Sequence, residues 1–412
     1  MGLIVQKFGG TSVADAEKIH RAARRALRAR LDGNDVVVVV SAMNKTTDEL
    51  VDLAYQVTDR PSRREMDQLL STGEQITIAL MAMAIHHAGH DAISLTGGQI
   101  GLRTDASFGR ARIREITERG RILQLLKSGS IVIVAGFQGV DEALNITTLG
   151  RGGSDTTAVA LAASLGADVC EIYTDVDGIY SADPRIVPEA RKLPYIYHDE
   201  MLELASLGAQ VMHSRSVELG KNYDVRICVR SSYSDAKGTD IVKESSDLGQ
   251  VIVRGAALKK ELARVELIGV PNKPGLASEI FSHVADRDIV VDDIIQVIHK
   301  GGDTADLSFT IDANNLQAAH VVIEELRRDM PGMTSEVKTD LAKVSVVGVG
   351  MRTHTGVASR MFEALHQANV NIDNISTSEI VISCVVNADD GPRALRAVHS
   401  AFELDQEPGG RA

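Results

Sequence analysis

The sequence predicts an α/β protein, a sandwich around a mainly parallel sheet followed by two ferredoxin-like repeats. Strand-like and helix-like patterns alternate over about the first 230 residues, as they do when helices cover a mainly parallel sheet. Beyond residue 262 a strand, helix, strand, strand, helix pattern occurs twice. That order is typical of ferredoxin-like β-α-β-β-α units, and the repetition indicates a duplication.

The elements of the first region follow from short patterns. Five consecutive valines at 36–40 predict a strand that is buried on both faces. Asp15 is a possible cap for the first helix. The other predicted elements are strands at Leu3–Phe8, Ile131–Ala135 and Val169–Thr174, and helices at Asp15–Arg30, Glu65–His87 and Thr156–Leu165.

Domain limits follow from composition and from the repeat. Residues 231–238 and 244–249 are polar and rich in turn formers, which favours a boundary there. Gly275-x-Ala-Ser-x-x-Phe is repeated at Gly356, and Asp292-x-Ile at Asp373. We therefore predict three domains, at residues 1–245, 262–338 and 342–412.

Composition excludes several classes of function. The net charge is −12 and the chain has no Trp, seven Tyr and seven Phe, which disfavours nucleic-acid binding. The longest apolar stretch, Ile76–Ile85, is too short to span a membrane, and the N-terminus does not resemble a signal peptide. Three separated cysteines predict buried apolar residues without a disulfide framework or zinc site. We expect a cytoplasmic protein.

The first candidate motif is Lys7-Phe8-Gly9-Gly10-Thr11-Ser12, between the first strand and the first helix. Paired glycines let a phosphate approach the backbone, and a helix start supplies N–H groups with a favourable dipole. The lysine precedes the glycines, whereas in a P-loop it follows them. Alone, the motif also fits an ordinary glycine-rich turn.

The strongest signal is the segment 147–157, TTLGRGGSDTT. Three glycines surround Arg151, and the polar run that follows opens an alanine-rich helix, which Ser154 or Asp155 could cap. Arginine can hold a carboxylate through two parallel N–H bonds. We therefore expect Arg151 to bind a carboxylate.

The third motif, Tyr173–Arg185, follows a buried strand, where open α/β sheets place their ligands. Its acidic residues leave calcium binding or a plain turn as alternatives, although the position-12 glutamate of an EF-hand loop is missing. No metal site is predicted from His86, His87 and His90 either. Segments 41–48 and 71–74 complete the set of candidates.

These motifs together resemble the aspartate kinases, amino-acid-kinase relatives with two C-terminal ACT domains. Lys7–Ser12, Leu149–Thr157 and Thr174–Arg185 match that family in order and spacing. The resemblance implies transfer of the ATP γ-phosphate to the side-chain carboxylate of L-aspartate, with Mg²⁺, as the first step towards lysine, threonine and methionine. A carboxylate nucleophile is already ionised at neutral pH, so no general base is needed.

The resemblance also implies a role for each site residue. Lys7 would bridge the transferring phosphoryl group with Asp155 orienting it, Arg151 would hold the α-carboxylate of aspartate, and Glu74 its ammonium group. The other ATP positions would be Gly9, Gly10, Ser41, Thr174, Asp175, Tyr180 and Arg185, and the other aspartate positions Thr47, Gly152, Gly153 and Ser154. Many members carry a lysine where this chain has Gln210.

In the ACT repeats the resemblance implies binding of lysine, threonine or both where repeats of two chains meet. The chain would then form a homo-oligomer, or an α2β2 assembly with a shorter ACT-only subunit. The implied effector residues are Asn272, Gly275, Ala277, Gln296, Asn371, Ile372, Ser378 and Glu379. Many members have aspartate at position 272, and packing of subunits alone is the alternative role.

Two other functions remain open from the sequence. One is phosphorylation of a different carboxylate, such as that of glutamate, by an enzyme of the same superfamily. The other is a catalytically silent amino-acid sensor, against which the presence of Lys7, Glu74, Arg151 and Asp155 argues.

Overall fold

A computed structural model describes residues 2–208, 211–244 and 252–406. These residues divide into two compact units. The first contains residues 2–180 and 192–244, and the second contains residues 181–191 and 252–406.

The first unit is built on an eight-stranded sheet and a four-stranded sheet. Its strands are β1 (Leu3–Phe8), β2 (Asp35–Val40), β3 (Ala92–Leu95), β4 (Leu102–Thr104), β5 (Ile113–Ile116), β6 (Ile131–Ala135), β7 (Gln138–Val140), β8 (Ile146–Thr148), β9 (Val169–Thr174), β10 (Tyr195–Tyr197), β11 (Ile227–Ser231) and β12 (Thr239–Val242). The large sheet has the order β10-β12-β11-β9-β1-β2-β6-β3, and the small one β5-β4-β7-β8. In the large sheet every pair is parallel except β11 with β12.

Helices cover the large sheet. They are α1 (Ala16–Leu31), α2 (Thr46–Val57), α3 (Arg63–Leu70), α4 (Thr72–His87), α5 (Arg119–Lys127), α6 (Gly153–Leu165), α7 (His198–Ser206) and α8 (Ser214–Asn222), with short 3-10 turns at Gly10–Val13 and Gly98–Ile100. The Asp15 side chain caps α1 as predicted, accepting a hydrogen bond from Lys18 N at 2.9 Å. The valines of β2 are fully buried, and those at 36, 38 and 40 pack with apolar residues of α1 and α4.

Two predictions of helix limits are wrong. The single helix predicted at Glu65–His87 is two helices, because Ser71 Oγ and Thr72 Oγ1 donate to the carbonyls of Gln68 and Leu69 and compete with the helical hydrogen bonds. Helix α6 begins at Gly153 rather than at Thr156, and neither Ser154 nor Asp155 caps it. A glycine in the left-handed conformation, Gly152 with φ 68°, precedes its first turn.

The second unit contains one six-stranded antiparallel sheet that both repeats share. Its strands are β13 (Gly255–Pro271), β14 (Val291–Ile298), β15 (Thr304–Asp312), β16 (Thr334–Val347), β17 (Asn374–Thr377) and β18 (Val381–Asn387), and its helices are α9 (Leu276–Ala285), α10 (Leu316–Asp329), α11 (Val357–Gln367) and α12 (Gly391–Ala401). The order is β14-β15-β13-β16-β18-β17. Pairing of β13 with β16 joins the repeats.

The duplication is visible residue by residue. Gly275 and Gly356 occupy the same position before α9 and α11, with φ of 92° and 89°, a conformation that glycine adopts without strain. A 3-10 turn at Val349–Thr353 lies between β16 and α11; the first repeat has none there. The predicted fold class is confirmed: a mainly parallel α/β sandwich followed by two β-α-β-β-α repeats.

Two predictions from composition can be compared with these units. Cys170, Cys228 and Cys384 are buried free thiols, as expected of small apolar residues. None of the helices in the described ranges combines the length and the apolar character needed to cross a bilayer.

Candidate active site

The first and third motifs meet at the carboxyl ends of β1, β2 and β9. Backbone hydrogen bonds hold them there: Gly9 N donates to Tyr173 O at 3.2 Å, and Ser41 N donates to Phe8 O at 3.1 Å. Open α/β sheets bind their ligands at this edge, where the loops that follow adjacent parallel strands come together.

Lys7 and Asp155 form the central charge pair of this edge. Lys7 lies in β1 and Asp155 in the first turn of α6, with Lys7 Nζ 2.6 Å from Asp155 Oδ1. Each side chain is only 11% exposed. The carboxylate therefore fixes the position of an ammonium group that solvent barely reaches.

Glycines make room beside this pair. A Cβ atom on Gly10 would lie 2.9 Å from Ala42 O, and one on Gly9 would lie 3.5 Å from Lys7 Nζ. Any side chain at Gly9 would thus fill the space next to the ammonium group. The absence of a side chain at Gly9 leaves this space open, as the close approach of a phosphate group to the backbone requires.

The loop between β8 and α6 carries Arg151 between two glycines in the left-handed conformation, Gly150 with φ 76° and Gly152 with φ 68°. A Cβ on Gly152 would lie 2.2 Å from His213 Cβ, so only glycine fits. Arg151 is exposed and forms no ion pair within the described part of the chain. Its guanidinium group is free to bind a ligand.

Hydrogen bonds with two side chains, Asp67 and Arg215, fix the position of this loop. The carboxylate of Asp67, fully buried in α3, accepts hydrogen bonds from Thr148 N at 2.7 Å and Thr148 Oγ1 at 2.8 Å. Burial raises the pKa of Asp67, against the hydrogen bonds from Gly109 and Thr148, which lower it. Arg215 donates to Leu149 O at 2.6 Å. The loop is therefore fixed just before its glycines.

Glu74 supplies a second buried carboxylate. It lies in the first turn of α4 and is 3% exposed. Its Oε1 accepts a hydrogen bond from Ala42 N at 3.0 Å, whereas its buried Oε2 has no partner among the described residues. Burial raises the pKa of Glu74 to about 7, although the hydrogen bond from Ala42 lowers it. A ligand with an N–H donor would satisfy this oxygen.

Thr47 lies in the first turn of α2, directly after Thr46. The N-terminus of α4 packs close to the turn that precedes α2, since a Cβ on Gly73 would lie 2.8 Å from Ala42 Cβ. This close packing places Thr46 and Glu74 beside the same turn.

The third motif forms a compact loop after β9. Thr174 Oγ1 donates to Asp175 Oδ1 at 3.1 Å, and Tyr180 donates its hydroxyl to Asp177 Oδ1 at 2.9 Å. Lys192 Nζ lies 3.0 Å from Asp177 Oδ2. The acidic residues are thus used within the loop, and in the described residues no group of three His, Cys, Asp or Glu side chains is arranged to bind a metal.

Comparisons with known proteins agree with this geometry. Residues 2–231 match the amino acid kinase family, and residues 264–329 and 344–402 each match the ACT domain. Aspartokinase 2 of Bacillus subtilis (strain 168) is 51% identical over 408 residues, which are 99% of each chain. The chain belongs to the aspartokinases of the amino acid kinase family.

Solved aspartokinases share its structure. Escherichia coli aspartokinase III in complex with aspartate and ADP, in the R-state, is 26% identical, with a TM-score of 0.79 over 97% of this chain and 99% of that one. The same enzyme in complex with lysine and aspartate, in the T-state, gives a TM-score of 0.77 with the same identity and coverage.

Most residues that the sequence assigns to the aspartokinase reaction lie in the first unit. These residues are Lys7, Gly9, Gly10, Ser41, Thr47, Glu74, Arg151, Gly152, Gly153, Ser154, Asp155, Thr174, Asp175 and Tyr180. Arg185 belongs to the second unit, where its guanidinium group pairs with Asp183 at 2.8 Å. Gln210 lies outside the described residues.

The implied effector residues all lie in the second unit. Asn272 Nδ2 donates to Gly302 O at 2.7 Å, Gly275 precedes α9, and Gln296 is exposed on β14. Asn371 and Ile372 precede β17, while Ser378 and Glu379 follow it and are exposed.

Sequence reasoning missed three residues that shape the site: Asp67, Arg215 and His213. Asp67 and Arg215 anchor the Arg151 loop from other helices, which no local pattern could show. His213 packs against Gly152. Burial lowers the pKa of His213, as do Arg215 and Arg151, whereas Asp155 raises it. This histidine therefore experiences both charges of the site and favours its neutral form.

Glu74→Gln tests the buried carboxylate. Because the folded-state pKa of Glu74 lies above the ordinary 4.5, the stability that its protonation supplies is present at low pH and is lost as the pH rises through about 7. The amide variant has no such loss. We therefore compare the unfolding free energy of the variant with that of the wild type at two pH values. We expect the difference, variant minus wild type, to be about 2 kcal/mol larger at about pH 8 than at about pH 5.5.

Urea unfolding at the two pH values measures this difference. Glu17→Gln, on the exposed face of α1, is the matched control and should show no such dependence. A gain for Glu74→Gln that is equal at both pH values would contradict the burial of an ionisable carboxyl group at this position.

Proposed function

We propose that the cleft around Lys7, Glu74, Arg151 and Asp155 transfers a phosphoryl group from ATP to aspartate. The chain phosphorylates the side-chain carboxylate of L-aspartate, giving 4-phospho-L-aspartate and ADP, and amino acids regulate it. The observation that carries this function is the buried Lys7–Asp155 pair beside the glycines of the first motif. It puts one fixed positive charge where a phosphate can approach the backbone.

The reaction needs positioning and charge neutralisation. A side-chain oxygen of aspartate attacks the γ-phosphorus of ATP, a new O–P bond forms, and the electron pair of the bond that breaks leaves with ADP. The nucleophile is already ionised at neutral pH, so the site need not remove a proton. Lys7 stabilises the charge on the oxygens of the transferring group.

ATP contacts the backbone at Gly9 and Gly10 with its phosphates and the loop at Thr174–Tyr180 with the rest of the molecule. Mg²⁺ usually binds through one or two carboxylates together with nucleotide phosphates. Asp155 is the carboxylate nearest to Lys7, so it suits this role. When bound, the ion supplies further neutralisation of the phosphates.

Aspartate is held at both ends of its backbone. Arg151 binds the α-carboxylate by two parallel N–H bonds, and Oε2 of ionised Glu74 accepts from the ammonium group. The Arg151 guanidinium group and Glu74 Oε2 lack a partner among the described residues. A ligand with a carboxylate and an ammonium group satisfies them together, which favours an amino acid over a simple dicarboxylate.

Lys7→Ala removes the fixed charge. We expect turnover to fall about 100-fold or more, since one electrostatic contact to a developing charge is worth about 3 kcal/mol. A coupled assay of ADP release with saturating aspartate and ATP measures the effect.

Lys18→Ala is the control, since Lys18 lies on α1 and pairs with the exposed Asp15. Its turnover should equal that of the wild type. Near-normal turnover in folded Lys7→Ala would refute the role of Lys7.

Arg151→Ala should raise the Michaelis constant for aspartate about ten- to hundredfold, because a charged hydrogen-bonding group contributes about 1.5–3 kcal/mol. The constant for ATP should change little. Truncation leaves no buried carboxylate without its partner, so the fold should tolerate it. Steady-state kinetics with each substrate varied separately measure both constants.

Arg114→Ala, which removes a 67% exposed guanidinium group paired with Asp105, is the matched control and should leave both constants unchanged. An increase confined to ATP in the Arg151 variant would show that Arg151 binds the nucleotide instead.

Regulation resides in the ACT repeats. Gln296 of the first repeat lies on β14 and the effector residues of the second repeat lie around β17, and these strands form opposite edges of the six-stranded sheet. The sheet keeps Gln296 apart from the residues around β17, so a pocket that contains both requires a second chain. Exposed apolar side chains on β14 and β17, Ile294, Val297, Ile298 and Ile375, favour such an interface.

The chain that follows Tyr180 supplies a connection to this region. Residues 181–191 belong to the second unit, where buried Ser181 Oγ lies 3.0 Å from His399 Nε2 on α12. Displacement of α12 by an effector would therefore act on the chain next to the nucleotide loop.

Two conclusions from the sequence remain predictions. They are the three domains at 1–245, 262–338 and 342–412 and the cytoplasmic location.

We expect lysine, threonine or both to inhibit aspartate phosphorylation, and Gln296→Ala to weaken that inhibition without changing turnover in their absence. Assays with each amino acid, alone and combined, measure the inhibition. An enzyme that is insensitive to both together would disprove the assignment of these effectors.

A further inference from the structure

A second cavity lies away from the reaction cleft. It has a volume of about 230 Å³ and is bounded by β1, β9, β11, α1 and the chain after β11. Adjacent residues of a strand point to opposite faces of the sheet. Gln6 therefore faces this cavity, while Lys7, its neighbour, faces Asp155 on the other side.

Gln6 lines the cavity and carries a buried acceptor without a partner among the described residues. The residue is 1% exposed, and its Nε2 donates to Glu171 Oε2 at 2.9 Å. A carboxylate only accepts, so the amide nitrogen must face Glu171 and Oε1 must face the other way. No described residue donates to Oε1, and a buried carbonyl without a donor costs about 1–3 kcal/mol.

Two arginines present unpaired donors. The outer nitrogens of Arg25 are fixed by Ser234 O at 2.6 Å and Asp235 Oδ1 at 3.2 Å. Nη1 of Arg230 lies 3.3 Å from Glu171 Oε1. The Nε atoms of both guanidinium groups are buried without an acceptor among the described residues. The contacts at its two outer nitrogens fix Arg25, and the Nε–H group of each arginine is left without an acceptor.

The charges that line the cavity balance. Three arginines, Arg25, Arg28 and Arg230, face three carboxylates, Asp32, Glu171 and Asp235. A phosphate would add negative charge that nothing compensates, and an apolar ligand would leave the unpaired groups unsatisfied. The complementary ligand carries an acceptor for the Nε–H groups, a donor for Gln6 Oε1, and no net charge.

We propose that this cavity is a second ligand site, which binds a small zwitterion of the size of a free α-amino acid. The carboxylate accepts from Arg25 and Arg230, and the ammonium group donates to Gln6. The volume equals that of several water molecules at about 30 Å³ each, which leaves room for a small amino acid. This inference does not depend on the reaction at Lys7.

Calorimetric titration of the full chain tests the site, with each of the protein amino acids as a probe and inorganic phosphate as the anionic comparison. We expect at least one amino acid whose affinity falls about tenfold or more in Gln6→Leu. Gln296→Leu is the matched control: it removes a glutamine implied in effector binding and should leave this affinity unchanged. Turnover without added amino acid should be unchanged in Gln6→Leu.

The proposal would be overturned if no amino acid bound more weakly to Gln6→Leu than to the wild type. It would also be overturned if phosphate bound and its affinity depended on Gln6. If Gln6→Leu does not fold, a crystal structure of the wild type grown with the amino-acid probes tests whether the cavity binds an amino acid. An amino acid within hydrogen-bond distance of Gln6 Oε1 supports the site, and ordered water alone in the cavity contradicts it.

Discussion

The buried ion pair of Lys7 with Asp155 is the constraint on which the rest of the site depends. Removing two charges from water is costly unless they meet in good geometry, so β1 and the first turn of α6 must be held at one distance. The left-handed glycines before α6 and the anchors at Thr148 and Leu149 supply that rigidity. An ammonium group fixed in this way needs no rearrangement when charge develops on a phosphate beside it.

In our proposal, a second arrangement selects an amino acid as the substrate. Glu74 is buried with one oxygen unpaired, and its pKa is raised to about 7 by burial. A group in that state gains most from a ligand that brings a positive charge. Arg151, by contrast, is exposed on a rigid loop, where its guanidinium group is hydrated when no carboxylate is bound. The free protein therefore keeps unsatisfied the two groups that, in our proposal, its substrate satisfies.

The sequence predicted those parts of the fold and site that depend on local pattern. Consecutive valines predicted β2, Asp15 predicted the start of α1, and the repeated Gly-x-Ala-Ser segment predicted the second ACT repeat; all three are confirmed. The predictions of one helix through Ser71 and of a start of α6 at Thr156 were wrong, because side-chain competition and a left-handed glycine decide these limits. Asp67, Arg215 and His213 could not be found, since they reach the Arg151 loop from α3 and from the start of α8, which are distant in sequence. The assigned site residues remain predictions that the geometry supports.

The most direct measurement of the central claim is a crystal structure of the full chain with a non-hydrolysable ATP analogue and L-aspartate. The account predicts Lys7 Nζ at the terminal phosphate, Arg151 on the α-carboxylate, and the side-chain carboxylate of aspartate facing the phosphorus in one shared cleft. Ligands held in separate places, or an aspartate that touches neither Arg151 nor Glu74, would contradict it.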